Sequence, residues 1–192
     1  MKMKRKAIVL LSTMAVVLVV GSGVALAATT INCPNDTSQG SPSTYLYCNG
    51  TAGANTMSGS ELADYMIGMG GADTMHGNGG SDYVVGDNGS DHIYGDAGND
   101  KFLFGGDDGA NDDYVHGGSG DDRLFGGFAL GGVDRVYGEG GNDTIDAAQR
   151  NGSVSPVTKE IIDCGAGASD EVYFDKGVDV VSTNCEIKHA YS

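Results

Sequence analysis

A nine-residue period runs through the middle of the chain. From Gly50 the sequence divides into GTAGANTMS, GSELADYMI, GMGGADTMH, GNGGSDYVV, GDNGSDHIY and GDAGNDKFL. After Phe104 come a longer block, GGDDGANDDYVH, then GGSGDDRLF, a second longer one, GGFALGGVDRVY, and GEGGNDTID. The sixth residue, or its equivalent after an insertion, is Asn55, Asp64, Asp73, Asp82, Asp91, Asp100, Asp113, Asp122, Asp134 and Asp143. Two residues after each stands an apolar one: Met57, Met66, Met75, Val84, Ile93, Phe102, Val115, Leu124, Val136 and Ile145. Glycine and aspartate are poor formers of helix and strand, and carboxylates at this density repel one another. Such a chain folds only if something offsets the charge.

The charge is large. The sequence holds 26 acidic and 11 basic residues, and four of the basic ones (Lys2, Lys4, Arg5, Lys6) fall at the start. Nucleic acid is excluded as a partner class, because phosphate binding needs clustered Lys and Arg. A strongly acidic chain is either a self-repelling disordered polymer or a fold loaded with cations. Periodic placement of the acids favours the second.

The blocks resemble the hemolysin-type calcium-binding repeat, the RTX nonapeptide GGxGxDxUx, over residues 50–146. The resemblance implies an all-β fold, a parallel β-roll (a right-handed β-solenoid) in which each nonapeptide supplies a turn and a short strand. Two nonapeptides make one coil, and calcium sits between turns that neighbour each other on one side. It implies metal ligation by Asp64, Asp73, Asp82, Asp91, Asp100, Asp113, Asp122, Asp134 and Asp143, with several calcium ions per chain. The residues point the same way. Calcium takes six to eight oxygens from carboxylates and main-chain carbonyls, and one glycine-rich turn supplies about half of that shell. Stacked turns would pair Asp73 with Asp91, Asp82 with Asp100, Asp91 with Asp113, Asp100 with Asp122, Asp113 with Asp134, and Asp122 with Asp143.

Some blocks depart from the pattern. Asn55 is a neutral residue where the carboxylate belongs, and Glu61 and Leu62 occupy the glycine region of the second block, which makes Asp64 a weaker candidate. The two longer blocks, 105–116 and 126–137, are two repeats apart and should lie one over the other as matched insertions; Asp107, Asp108, Asp112 and Asp113 crowd the first. The stacked apolar residues make a thin core, so metal must contribute folding free energy that burial cannot. Outward-facing ninth positions read Ile67, Val85, Leu103 and Phe125 in alternate repeats, an apolar stripe suited to docking, and His76, Tyr94, His116 and Tyr137 in the others.

The flanks complete the expectation. Residues 1–27 have a basic start, an apolar run and Ala25-Leu26-Ala27, the pattern of a cleaved secretory signal. The product is then expected to be secreted, in extracellular or cell-wall surroundings, with no membrane span. Residues 28–49 form an N-terminal cap with Cys33 and Cys48, and residues 147–192 a C-terminal cap with Cys164, Cys185 and a degenerate repeat carrying Asp170 and Val172. Cysteines in an exported chain read as disulfides. The pairs Cys33–Cys48 and Cys164–Cys185 are favoured over the other connectivities, because five coils at ~4.8 Å put the ends about 24 Å apart. The flanks are too short for a catalytic domain, and no HExxH or GxSxG motif occurs, so no enzyme is expected. The expected function is a secreted calcium-binding protein that folds on its ions. The alternative is a calcium-stabilised adhesion or interaction module whose outer strands meet an extracellular protein or polysaccharide.

Overall fold

The computed structural model describes residues 28–33, 45–106, 111–126, 132–148 and 158–191. The signal-like segment 1–27, Asp107 and Asp108 lie outside the described residues. Every regular element described is a β-strand, and successive strands alternate between two parallel sheets. Along the first sheet lie Thr29–Asn32, Asn55–Ser58, Thr74–His76, His92–Gly98, Tyr114–Ser119, Arg135–Gly140, Ile161–Asp163 and Val180–Val181, with the short Gly79–Gly80 pairing beside His92–Gly98. Along the second lie Leu46–Thr51, Asp64–Met69, Tyr83–Val85, Phe102–Phe104, Arg123–Phe125, Thr144–Asp146, Glu171–Asp175 and Ile187–Tyr191. This is the parallel β-solenoid that the repeat implies. Its ladder also runs on through both flanks, since Thr29–Asn32 pairs with Asn55–Ser58 and Glu171–Asp175 with Ile187–Tyr191.

Alternation along each short strand sends one side chain inward. Met57, Met66, Met75, Val84, Ile93, Leu103, Val115, Leu124, Val136 and Ile145 have no exposure, and Ile162 and Val172 extend the column toward the C-terminus. One expected position is corrected. Phe102 does not point inward: it pairs with Tyr83, while Leu103 pairs with Val84 and Leu124 and fills the core. Lys101 is the cause, an extra residue between Asp100 and the strand that works as a β-bulge and shifts the alternation by one. The outer stripe of the second sheet is therefore Ile67, Val85, Phe104 and Phe125, with Leu103 removed from it.

Rings stack along the outer faces because parallel register places like positions one strand spacing apart. Tyr65, Tyr83 and Phe102 stack at 4.5 Å between centroids. On the first sheet His76, Tyr94, His116 and Tyr137 form a ladder with spacings of 4.5, 4.9 and 4.6 Å. The described ends of the two longer loops also stack, with Val133 N–H donating to Asp112 Oδ1 at 2.8 Å.

Two disulfides close the ends, Cys33–Cys48 and Cys164–Cys185, as the spacing argument favoured. Each joins the two sheets across the core. Cys33 N–H donates to the Ser58 carbonyl as Gly59 N–H does to His76 and Gly77 N–H to Tyr94, so Cys33 takes the place of a first-position glycine. At the other end Tyr137 pairs with Asp163, which sets Cys164 over the first-position Gly138.

The register at Phe102 and Leu103 has a measurable consequence. In one buffer of fixed composition, Leu103→Ala should cost about 2–5 kcal/mol in urea unfolding, as for other buried leucines. Phe102→Ala should cost about 1 kcal/mol, the scale of a surface ring pair. The order of the two reverses if the phenylalanine is the core residue.

Candidate metal centre

The turns between the sheets position the acidic residues. Most turns within the repeats begin with a glycine, and the second residue often takes left-handed backbone: φ is 71° to 72° at Asn78, Asp87, Asp96 and Glu139, and 77° at Met69. Asn and Asp tolerate that region better than most side chains, which explains three of the five. A third glycine position is stricter. Gly98 has φ of 133°, and a Cβ there would run into the Gly80 carbonyl oxygen one layer away.

The sixth-position residues then fall into two buried columns. On the first side Asn55 N–H donates to Asp73 Oδ1 at 2.7 Å, Asp73 N–H to Asp91 at 2.8 Å, Asp91 to Asp113 at 2.8 Å and Asp113 to Asp134 at 2.9 Å. On the second side the same bond links Asp64 to Asp82, Asp82 to Asp100, Asp100 to Asp122, Asp122 to Asp143 and Asp143 to Asp170, at 2.8 to 2.9 Å. All nine aspartates singled out in the sequence are buried, and all the expected pairs adjoin.

One carboxylate oxygen is thus used and the other is not. Oδ2 of Asp73, Asp82, Asp100, Asp122, Asp143 and Asp170 is buried and accepts no hydrogen bond among the described residues. Asp64 differs: its Oδ2 accepts from Ser60 N–H at 2.6 Å and from Ser60 Oγ at 3.0 Å, and its Oδ1 is the oxygen without a donor. Such an oxygen costs about 1–3 kcal/mol, more when charged. Burial accordingly pushes these groups up, Asp82 and Asp122 to about 7 and Asp73 and Asp143 to about 6, against the opposing backbone N–H donors.

The space beside that oxygen is rich in further oxygens. A Cβ on Gly117 would lie 2.7 Å from both Asp122 Oδ2 and the Gly138 carbonyl of the next layer. Gly68, Gly77 and Gly95 meet the same combination, the aspartate five residues on and a glycine carbonyl from the layer above. Among the described residues no three side chains of His, Cys, Asp or Glu gather as a metal cluster. The arrangement is instead carboxylate plus carbonyl, which suits a hard ion with oxygen ligands and not zinc or copper.

The sequence reading stopped short of three acids in the terminal layers. Glu160 N–H donates to Asp179 Oδ1 at 3.1 Å, and Asp170 N–H donates to Glu186 Oε2 at 3.0 Å, so Glu160, Asp179 and Glu186 continue the columns. Glu160 is fully buried, Thr158 Oγ1 donates to its Oε1 at 2.8 Å, and burial together with Asp179 raises its pKa. The signal was present as an acid two residues before an apolar one, at Glu160 with Ile162 and Asp179 with Val181.

Four overlapping segments, residues 49–84, 76–109, 107–129 and 128–149, match the RTX calcium-binding nonapeptide repeat. No curated protein and no solved structure gives a match to the chain. The matched segments together span more than half of the chain, and the columns of buried aspartates lie within and just beyond them. The chain belongs to the RTX calcium-binding nonapeptide repeat family.

Proposed function

We propose that this is a secreted calcium-binding protein whose solenoid is completed by several calcium ions held between stacked turns. The observation that carries the reading is the recurring buried Oδ2 with no donor, facing a glycine carbonyl of the adjoining layer. Asp64, Asp73, Asp82, Asp91, Asp100, Asp113, Asp122, Asp134 and Asp143 would hold the ions together with main-chain carbonyls. Asp170 joins them on the second side, since its Oδ2 is likewise buried without a donor. Bound calcium supplies the positive charge that a buried carboxylate otherwise lacks. The chain's own contribution is to fix each carboxylate by the N–H of its neighbour, so that one oxygen is already aimed before an ion arrives. Export is supported by the signal-like start and by two disulfides, which persist in oxidising surroundings. No helix among the described residues is long and apolar enough to cross a membrane.

Calcium titration of the mature chain, followed by far-UV circular dichroism, should show a cooperative gain of β structure in the range of about 10⁻⁴ to 10⁻³ M that extracellular modules use, with magnesium giving little. Full ordered structure in excess EDTA, with no metal detected by elemental analysis, overturns the proposal.

Proton linkage gives a second test. The folded pKa values of Asp73, Asp82, Asp122 and Asp143 lie above the ordinary value of 3.8. Stability of the metal-free roll is therefore fully present below about pH 4 and lost as pH rises through about 6 to 7, because the unfolded chain gives up those protons first. In EDTA, order should increase on acidification from about pH 7.5 to about pH 4.5, measured by circular dichroism. With calcium bound the trend reverses, since protons then compete with the ion. Asp82→Asn combined with Asp122→Asn should flatten the metal-free pH profile and weaken calcium binding by about tenfold or more.

A further inference from the structure

The outer face of the second sheet changes character halfway along. Its N-terminal half is the ring stack of Tyr65, Tyr83 and Phe102. In the C-terminal half, a pocket of about 300 Å³ opens, lined by Arg123, Phe125, Thr144, Asp146, Glu171 and Tyr173. The register explains it. Phe125 pairs with Asp146, Asp146 with Tyr173, and Tyr173 with His189, whose ring stacks on it at 4.5 Å. The column Phe104, Phe125, Asp146, Tyr173 and His189, next to that of Tyr65, Tyr83 and Phe102, thus carries a ring on every rung but that of Asp146. Beside it, Thr144 is a short side chain between Arg123 and Glu171. Two long residues stand on either side of two short ones, two strand spacings apart, or about 9.5 Å.

We propose that this missing rung is a binding site for one pyranose ring of a neutral glycan. The slot has the height of a ring layer that the chain itself leaves vacant, with Phe125 and Tyr173 as the apolar walls. Phe125 lies back on Phe102, at 4.5 Å and 36°, which fixes that wall from below. Tyr173 Oη donates to Glu171 Oε1 at 2.7 Å, and His189 Nε2 lies 2.8 Å from the same oxygen, which fixes the other wall and its carboxylate. A sugar ring offers apolar C–H faces to aromatic walls and hydroxyls at its rim, each both donor and acceptor. The guanidinium of Arg123 donates, the carboxylates of Asp146 and Glu171 offer acceptor oxygens, and the Thr144 hydroxyl does both. Neighbouring hydroxyls on one ring satisfy such a mixed set. An anionic ligand meets two carboxylates on a chain of net charge −15, and the polar rim, with donors and acceptors together, matches hydroxyls better than a single charged group. The site lies on the outer face, away from the aspartate columns, and depends on calcium only through an intact fold.

The test uses the full mature chain in saturating calcium, with circular dichroism confirming that each variant is folded. Saturation-transfer NMR and calorimetry are run with cellohexaose, chitohexaose and maltohexaose, with hexagalacturonate as the anionic arm and adenosine as a planar heteroaromatic arm. Transfer from the protein to pyranose ring protons of at least one neutral oligosaccharide is expected. Asp146→Tyr, which fills the absent rung, and Tyr173→Ala should each weaken that binding by about tenfold or more. His116→Ala, on the opposite sheet, should leave it unchanged. Asp146→Tyr continues an existing ring ladder, so it keeps the test valid should Tyr173→Ala fail to fold. No neutral oligosaccharide binding up to about 10 mM, binding unaffected by Asp146→Tyr in a folded variant, or preference for hexagalacturonate or adenosine overturns the proposal.

Discussion

A single carboxylate held between two layers governs this molecule. In every turn after that of Asp64 in its column the aspartate spends one oxygen on the backbone N–H of its counterpart in the adjoining layer, as Asp82 does for Asp64 and Asp100 does for Asp82. That bond ties each turn to the next, beside the main-chain ladder that sets the spacing of the stack. The second oxygen is left buried without a donor, and the same burial that orders the layers raises the free energy of the charge they contain. Order and charge are coupled through one functional group. An uncompensated column of such groups is costly, and a column bridged by cations is not.

The rest of the structure follows from how little else it has to rely on. The interior takes one main apolar side chain from each strand of the two sheets and runs from Cys33 and Cys48 at one end to Cys164 and Cys185 at the other. A core of that width buries little surface for each residue ordered. Support comes instead from repetition. Parallel ladders place rings above rings, as in His76, Tyr94, His116 and Tyr137, and place side-chain oxygens where they bind the backbone of the next turn, as Asn99 Oδ1 binds Asp121 N–H and Asp121 Oδ1 binds Asn142 N–H. Each contact is small, and each recurs with every coil.

Much of this was legible in the sequence. The period alone carries the solenoid and the pairing of aspartates across insertions, because glycine, aspartate and an apolar residue must all hold register for it to repeat. The disulfide partners were legible from distance. What was hidden had physical causes. In Lys101-Phe102-Leu103-Phe104 three consecutive apolar residues follow one charged one, and spacing from Asp100 pointed to Phe102. Packing chose otherwise: leucine matches the neighbouring Val84 and Leu124, and the phenyl ring gains a stacked partner in Tyr83. Glu160, Asp179 and Glu186 escaped notice because the spacing widens after Asp146 and glutamate replaces aspartate in two of the three. The recess at Asp146 could not be read at all without knowing which side chains are one rung apart.

The location of the two cystines has a mechanical corollary. A stack in which every coil touches only the next one loses order most readily by peeling at its tips, where a coil has a single neighbour. Here each tip carries a cross-link, Cys33 to Cys48 at one and Cys164 to Cys185 at the other, with Cys33 and Cys164 standing where inner turns have a glycine. Peeling is made costlier, because a cross-linked end segment gains less conformational freedom when it detaches. Reduction would return that freedom and let the tips fray first.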